Sequence, residues 1–263
     1  MNAYYEGDDD RGFQPTKHTQ GPWDPEFQHF GPPGALLARE IERCAAGTGG
    51  EGMSLGRITY DILGPLSLRG PLTVRARVER PGRRVLLVRG ELVQDGRPVV
   101  SAAAWALRPA PDDVRAVGTR DHPSHALPGS GATAVPPDTW VCGFLDSVEW
   151  RFVRGGYGEP GPAVVWLRPR VPLVEGEPMS PLQRTVLSID SANGISAELD
   201  IGTWGFVPPE LTVHLLRPPT GEWVCLDAAT AVGPGLPGLT TATLYDAQGP
   251  IARSHQTLLI HRR

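Results

Sequence analysis

The chain has 263 residues, of which 40% are hydrophobic and 21% are charged, and its formal net charge is −4 at pH 7. This is the composition of a globular protein, and no apolar run reaches the roughly 20 residues of a membrane-spanning helix, so we expect no membrane insertion. Because no basic cluster is present to neutralise a phosphate backbone, we also expect no nucleic acid among its partners.

The first predicted elements are an arm and a helix. Residues 1–20 are polar and rich in Gly and Asp, which predicts a loosely held N-terminal arm. They lack the basic segment and apolar core of a secretory signal, so we expect a cytoplasmic protein. Pro33 suits a first helical position, and Gly47 suits a helix end. Between them an apolar stripe completes the helix pattern: Ala35, Leu36, Leu37, Ala38 and Ile41.

Four segments rich in β-branched residues follow this helix and predict strands. Their sequences are RITYDIL, LTVRARVE, RRVLLVRGELV and PVVSAAAWALR. The last two are separated by QDGRP, which is typical of a tight hairpin turn. The helix and these strands make a first unit that we place at residues 21–108.

A second unit with the same order follows a linker. Residues 109–139 are dense in Pro, Gly and Asp without periodicity, which is typical of a linker. After it come the strand-like VEWRFVRGG and AVVWLRPR, the helix-like SPLQRTVLSIDSANG and four further strand candidates. We place this second unit at residues 140–263.

Direct comparison of the two units indicates an internal repeat. ITYDILGP, residues 58–65, matches LTVHLLRP, residues 211–218, at a separation of 153 residues. The helices match at a slightly different offset, with Pro33 on Pro181, as a small insertion between elements would produce. The chain is therefore predicted to be one helix-plus-sheet unit built twice.

Polar residues found in only one unit are the candidates for chemistry. Gln256 lies on an otherwise small and apolar strand face, Thr230 on a second strand, and Glu210 at the start of a third. At the 153-residue separation the first unit has these residues instead: Ala103, Arg77 and Arg57. Each polar residue alone also has a structural explanation, as a partner in the fold, a good strand former or a solvated strand end. The three together indicate a site.

Three stretches resemble actinobacterial thioesterase-like proteins, which are similar to the acyl-CoA thioesterase II family. They are residues 21–43, 152–196 and 210–260, and the segments RPPTGEW and YDAQGPIARSHQTL are the most specific. The resemblance covers residues 18 to 263. It implies an α+β double-hotdog fold, in which each of two tandem repeats has a long helix wrapped by an antiparallel sheet.

The resemblance also implies which residues carry the reaction. In the family an Asp, a Thr or Ser, and a Gln of the second hotdog bind the water that attacks the thioester carbonyl. By position the Gln falls on Gln256, the hydroxyl on Thr230 and the Asp on Glu210. The last is a departure, because Glu moves the charge by one methylene. Glu210 would then be the base, with Thr230 and Gln256 fixing the water.

The segment before the first helix is implied to bind substrate. Its backbone N–H groups, at Gly31 and Gly34, could stabilise a developing oxyanion from the other hotdog. Phe30 stands where the family usually has Gly, so that HFGPP replaces an HGGPP-like segment, and its ring would narrow or seal the acyl tunnel. His29 lies beside this turn, with helix capping or packing as its alternative role.

Other sites are not indicated. The seven histidines show no HxxxH or HxH spacing, and the three cysteines show no CxxC spacing, so we expect no metal. No cofactor is expected apart from CoA as part of a thioester substrate. The resemblance implies that the protein can also pair into a homo-oligomer.

The expected function is hydrolysis of an acyl thioester such as acyl-CoA. One alternative is a repurposed hotdog enzyme of specialised metabolism that cyclises, dehydrates or isomerises a polyketide-like intermediate, which the departures at Glu210 and Phe30 favour. A second alternative is a non-catalytic acyl-binding module in which Gln256 only satisfies a buried network.

Overall fold

The computed structural model describes residues 3–48, 52–115, 125–130, 133–136 and 140–263. In the first half, residues 3–107, the elements are β1 (Tyr5–Asp8), β2 (Gly12–Pro15), α1 (Gly31–Gly47), β3 (Ser54–Ile62), β4 (Leu72–Arg80), β5 (Val85–Gln94) and β6 (Arg97–Leu107). In the second half, residues 140–263, they are α2 (Gly143–Asp146), β7 (Val148–Arg154), β8 (Ala163–Pro169), α3 (Pro181–Ile189), α4 (Ala192–Ile195), β9 (Trp204–Val207), β10 (Glu210–Leu215), β11 (Val224–Ala231), β12 (Gly238–Asp246) and β13 (Gly249–Arg262).

The strands form one antiparallel sheet that runs through both halves. Its order is β1-β2-β4-β5-β6-β3-β10-β13-β12-β11-β8-β7, and β9 pairs with β13 off this path. The central pair, β3 with β10, joins the halves. In that pair Thr59 lies directly opposite Thr212, with their Oγ1 atoms 3.3 Å apart. These two residues are 153 positions apart, so the strands meet at the separation at which their sequences match.

The first helix, α1, buries the apolar stripe expected from the sequence. All five residues of the stripe are fully buried: Ala35, Leu36, Leu37, Ala38 and Ile41. The helix packs on β4 and β5 and against α3. It begins at Gly31, slightly before the predicted Pro33, and ends at Gly47 as predicted.

The second long helix is shorter than the sequence pattern suggested. Ser180 caps α3, because its hydroxyl accepts from the N–H of Gln183 while the Gln183 side chain accepts from the Ser180 N–H, a reciprocal capping box. The helix ends at Ile189, and a separate turn of helix, α4, starts at Ala192. The predicted run to Gly194 is thus interrupted at Asp190 and Ser191, and this interruption positions the candidate site.

The prediction of a loosely held arm at residues 1–20 was wrong for the described part of that segment. Residues 5–15 form the β1–β2 hairpin, and the N–H of Tyr4 donates to the carbonyl of Pro172 at 3.0 Å. Tyr4 and Tyr5 are fully buried, and the Tyr5 hydroxyl donates to Oε1 of Gln28 at 2.7 Å. The polar composition of the segment concealed these aromatic anchors, whose burial outweighs the cost of ordering the chain.

Much of the predicted linker, including residues 116–124, lies outside the described residues. Of the rest, His125 contacts the second half, with its Nε2 3.2 Å from Oδ2 of Asp227. Among the described residues, no helix has both the length and the apolar content needed to cross a membrane.

Candidate active site

The candidate site is built around the buried carboxyl group of Asp190, at the end of α3. Only 6% of this residue is exposed. The side-chain amide of Gln256 donates to its Oδ1 at 3.2 Å. The backbone N–H groups of Phe30 and Gly31, at the start of α1, also donate to the carboxyl group. Asp190 therefore connects the first helix, the second helix and the last strand.

His29 completes the surroundings of this carboxyl group. Its Nδ1 lies 3.1 Å from Oδ2 of Asp190 and also 3.1 Å from the N–H of Gly31. Burial lowers the pKa of His29 to about 3, so the ring is neutral and its contact with Asp190 is not an ion pair. The imidazole stacks on Phe144, with ring centroids 3.7 Å apart and planes within 7°, which fixes its orientation.

The pKa of Asp190 suits proton transfer near neutral pH. Burial raises it to about 7, against the opposing effect of the Phe30 and Gly31 N–H groups and the Gln256 amide. A carboxylate with a pKa close to the working pH combines a large ionised fraction with useful basicity. Such a shift in a cavity wall is typical of a functional group.

Gln256 is 1% exposed and makes only part of the hydrogen bonds that its amide can form. Its Nε2 is used by Asp190, but Oε1 has no partner within the described parts of the chain. A buried acceptor without a donor costs on the order of 1–3 kcal/mol, so this oxygen is suited to receive a hydrogen bond from a bound molecule.

A row of hydroxyl groups continues from Gln256 across the sheet. Thr240 lies opposite Gln256, and Thr230 lies opposite Thr240. The Oγ1 atoms of the two threonines are 2.7 Å apart, and that of Thr230 is also 2.8 Å from Oγ of Ser196. The structure therefore connects the expected pair Thr230 and Gln256 through Thr240, which the sequence comparison missed.

Glu210 does not belong to this site, so its expected role as the base is contradicted. Its Oε1 accepts from the N–H of Thr257 at 2.8 Å, and Oε2 is 3.4 Å from Oγ1 of Thr212. In β10 the alternate residue Leu211 is buried while Glu210 and Thr212 are half-exposed, whereas Gln256 is on the buried face of β13. Because side chains alternate along a strand, Glu210 lies on the opposite face of the sheet from Gln256.

Asp190 is the carboxylate that the sequence comparison missed. The pattern TVLSIDSANGI places a single acid directly after an apolar helical stripe, where a solvated residue would not be expected. That position was the available signal. The approach of Asp190 to Gln256, 66 residues away in the chain, depends on how α3 packs on the sheet.

Strand pairing also corrects the comparison of the two halves by one position. Thr59 and Thr212 face each other in the central pair. The next strands place these residues opposite them: Ala103 and His255. Gln256 therefore corresponds to Ala104, not to Ala103.

Strand pairing also changes which residue of the first half corresponds to Thr230. Across β6, β5 and β4, Ala104 is paired with Val88, and Val88 with Val78. Thr230 thus corresponds to Val78 and not to Arg77. The first half has an apolar row where the second half has amide and hydroxyl groups.

The four residues expected to bind substrate divide into two pairs. His29 and Phe30 line a cavity beside Asp190. Gly31 and Gly34 instead lie where α1 approaches its neighbours. A Cβ on Gly31 would collide with the carbonyl of Leu187, and one on Gly34 would lie 3.1 Å from the Phe30 ring. The N–H of Gly31 is used by Asp190 and His29, so it is not free to stabilise an oxyanion as expected.

The cavity has a volume of about 290 Å³ and is mostly apolar. Asp190, Ser191 and Asn193 bring polar groups to its wall, and Ser191 is buried with no partner for its hydroxyl among the described residues. The other walls are largely aromatic and aliphatic: Trp23, Phe27, Phe30, Ile62, Leu66, Trp140, Leu145, Trp150, Tyr157, Ile195, Ile201 and Val207. An apolar pocket with a few converging polar groups is the usual form of a small-molecule site.

Solved structures with the same fold cover nearly the whole chain. A candidate thioesterase II from Thermobifida fusca YX has a TM-score of 0.70 and 21% identity, over 92% of this chain and 90% of that one. An acyl-CoA thioesterase II from Mycobacterium marinum has a TM-score of 0.64 and 16% identity, over 89% and 90%. A conserved protein with a hot dog fold from Alicyclobacillus acidocaldarius has a TM-score of 0.69 and 16% identity, over 98% and 95%. These likenesses show a hotdog fold.

Comparison with protein-family models shows which family the chain belongs to. No curated protein sequence matches it, but two family models do. Residues 19–107 match the acyl-CoA thioesterase N-terminal domain, and residues 120–260 match the acyl-CoA thioesterase C-terminal domain. The resemblance noted in the sequence is confirmed, and the chain belongs to the acyl-CoA thioesterase family of hydrolases.

Proposed function

We propose that this protein hydrolyses acyl thioesters, acyl-CoA in the simplest case, with Asp190 as general base and Gln256 as the group that orients the attacking water. One observation carries the proposal. A buried carboxyl group with a pKa of about 7 lies at the wall of an apolar cavity and contacts an amide whose oxygen is unpaired among the described residues.

The reaction needs one water molecule and one base. The water would donate one hydrogen bond to the Asp190 carboxylate and the other to Oε1 of Gln256. Asp190 takes a proton as the water oxygen bonds to the thioester carbonyl carbon, which gives a tetrahedral oxyanion. When the carbon–sulfur bond breaks, the proton passes from Asp190 to the departing thiolate, and carboxylic acid and thiol are released.

The groups around Asp190 would control its ionisation and position. The N–H groups of Phe30 and Gly31 favour the carboxylate form and oppose the effect of burial. Nδ1 of the neutral His29 ring accepts from the N–H of Gly31 and can also accept the proton of Asp190 when that carboxyl group is protonated, and the stacking on Phe144 keeps the ring in place. The side chain is then held where a small error in geometry would cost much of the rate.

We also propose that the fold is a double hotdog, with repeats close to residues 21–108 and 140–263 and a linker at residues 109–139. The mirrored order β4-β5-β6-β3 and β11-β12-β13-β10, with Thr59 facing Thr212 in the central pair, supports two tandem units. The β1–β2 hairpin extends the first unit at its edge as β7 and β8 extend the second. Homo-oligomer formation stays a prediction that sedimentation would test.

A second candidate function is dehydration or isomerisation of an acyl thioester. The contact between His29 and Asp190 favours it, because the cavity wall then has two groups that can exchange protons. Hydrolysis needs only one of them.

The experiment that tests the proposal is release of free thiol from short, medium and long acyl-CoAs by the parent protein and by Asp190→Asn. We expect turnover by the parent and its near loss in the variant. Products analysed by mass spectrometry would show carboxylic acid for hydrolysis and an unchanged thioester bond for dehydration or isomerisation. Binding of acyl-CoA without any chemical change would contradict both reactions and indicate an acyl-binding module.

A further inference from the structure

We infer that the acyl group accepted by this cavity is compact and carries a ring, and that Phe30 is the residue that excludes long linear chains. This inference rests on the proposed function, since it names the substrate class of the same site. It depends on the walls of the cavity, on the ring that bounds it on the side of α1 and on its size.

The walls are formed largely by aromatic rings that other groups hold in place. Trp150 is 1% exposed, and its indole N–H donates to the carbonyl of Leu145 at 3.0 Å. The Tyr157 ring meets Trp150 and Trp140 edge to face, with centroids 5.9 and 6.1 Å apart. Rings packed in this way form rigid surfaces, and they interact best with a further ring in an offset or edge-to-face arrangement.

On the side of α1, the cavity is bounded by the ring of Phe30. This side chain is 7% exposed, and its ring meets that of Tyr60 edge to face at 5.5 Å. Gly34 supports the ring from α1, since a Cβ there would lie only 3.1 Å from it. Tyr60 is fully buried, and its hydroxyl donates to the carbonyl of Gly34 at 3.2 Å. Behind the ring there is packed protein, so an acyl chain has no path beyond it.

The size of the cavity agrees with a compact group. Its volume of about 290 Å³ lies at the lower end of the roughly 300–1,000 Å³ that small-molecule sites usually have. A flexible chain would have to fold inside it and would lose rotamer freedom, whereas an aryl group has little freedom to lose. A ring-bearing acyl group such as phenylacetyl therefore fits these walls better than a linear group of equal carbon number.

The test compares phenylacetyl-CoA, octanoyl-CoA and palmitoyl-CoA as substrates and, by quenching of tryptophan fluorescence, as ligands. We expect kcat/KM for phenylacetyl-CoA to exceed that for octanoyl-CoA by about tenfold or more, a discrimination within reach of an apolar pocket. Phe30→Ala should shift this ratio towards octanoyl-CoA and introduce activity on palmitoyl-CoA. Phe30→Leu should give a smaller shift and serves if the alanine variant does not fold.

The matched control is Phe13→Leu, which changes a buried phenylalanine that lies under Arg39 and does not line the cavity. Its substrate ratio should equal that of the parent. Preference of the parent for octanoyl- or palmitoyl-CoA, or an unchanged ratio in both Phe30 variants, would overturn the inference. Ring-selective binding without turnover of any thioester would support the substrate class while contradicting hydrolysis, so the two failures are distinguishable.

Discussion

The ends of the two long helices each place a carboxylate close to the start of the other helix. Glu42 in α1 and Asp190 after α3 are 148 positions apart, the separation at which the helices match. Glu42 accepts from Oγ of Ser180 at 2.9 Å and from Nε2 of Gln183 at 3.3 Å, at the start of α3. Asp190 accepts from backbone N–H groups at the start of α1. Burial raises the pKa of both carboxyl groups.

The equivalent rows of sheet residues differ between the two halves. The first half has Val78, Val88 and Ala104 in the row where the second half has Thr230, Thr240 and Gln256. Val88 and Ala104 are fully buried and offer no hydrogen bond. Each half of this protein thus has a carboxylate where the two helices meet, and the polar row makes the one in the second half a candidate base.

The largest expected effect separates the two carboxylates directly. Asp190→Asn should lower kcat/KM by about 10²- to 10⁴-fold, the usual contribution of a general base. Glu42→Gln, the matched change at the other crossing, should leave kcat/KM unchanged. The measurement is thiol release under identical conditions. Equal losses in the two variants would show that the comparison is wrong.

Replacing Gln256 with Ala gives the second half the residue type that the first half has at the equivalent position, Ala104. Gln256→Ala should lower kcat by about 10- to 100-fold, because the water loses the acceptor that orients it. Gln94→Ala is the control, since Gln94 is also buried, and within the described parts of the chain its amide hydrogen-bonds to backbone groups of residues 67–70. If kcat falls equally in both, the loss reflects destabilisation and not the chemistry of the amide.

The pH dependence of the rate should reflect the Asp190 carboxyl group. Since its pKa is raised to about 7 and the base must be ionised, kcat should rise by about tenfold per unit up to pH 7 and then level off. Initial rates across the neutral range would measure this. A flat profile between about pH 5 and pH 7 would argue against Asp190 as the base.

The smallest expected effect is on stability. Between about pH 4 and pH 6.5 the folded pair has one proton on Asp190 and none on His29, and the unfolded chain has one on His29 and none on Asp190. The proton counts are equal, so this pair contributes no slope to stability there. In Asp190→Asn only the His29 contribution remains. Because the pKa of His29 is lowered in the folded state, the variant should lose stability as pH falls below about 6.5.

Urea unfolding of the parent and Asp190→Asn at several pH values would measure the difference in their free energies of unfolding. The contributions of the other titrating groups are the same in both proteins and cancel in this difference. The difference in slope should not exceed about 1.4 kcal/mol per pH unit. Parallel pH profiles for the two proteins would contradict the assignment of a neutral His29 beside a protonated Asp190.

Some of these features follow from local sequence, and others do not. The stripe of α1 and the buried face of β13 around Gln256 were readable because helix and strand periodicities are local. Glu210 was misassigned because side chains alternate between the two faces of a sheet, and the sequence does not show which face of β10 is the buried one. The same sensitivity explains why Ala103 was named in place of Ala104. The contact between Asp190 and Gln256 depends on tertiary packing, which periodicity does not describe.

The start of α1 couples substitutions in the first half of the chain to the site in the second half. Pro32 and Pro33 have no N–H, so Phe30 and Gly31 provide the donors nearest the helix start, and both favour the ionised form of Asp190 in the other half. A substitution at Gly31 therefore acts on a group encoded about 160 residues away. The first half has no equivalent of the Gln256 amide, but it provides the imidazole and the backbone N–H groups that surround Asp190, so neither half holds the complete site.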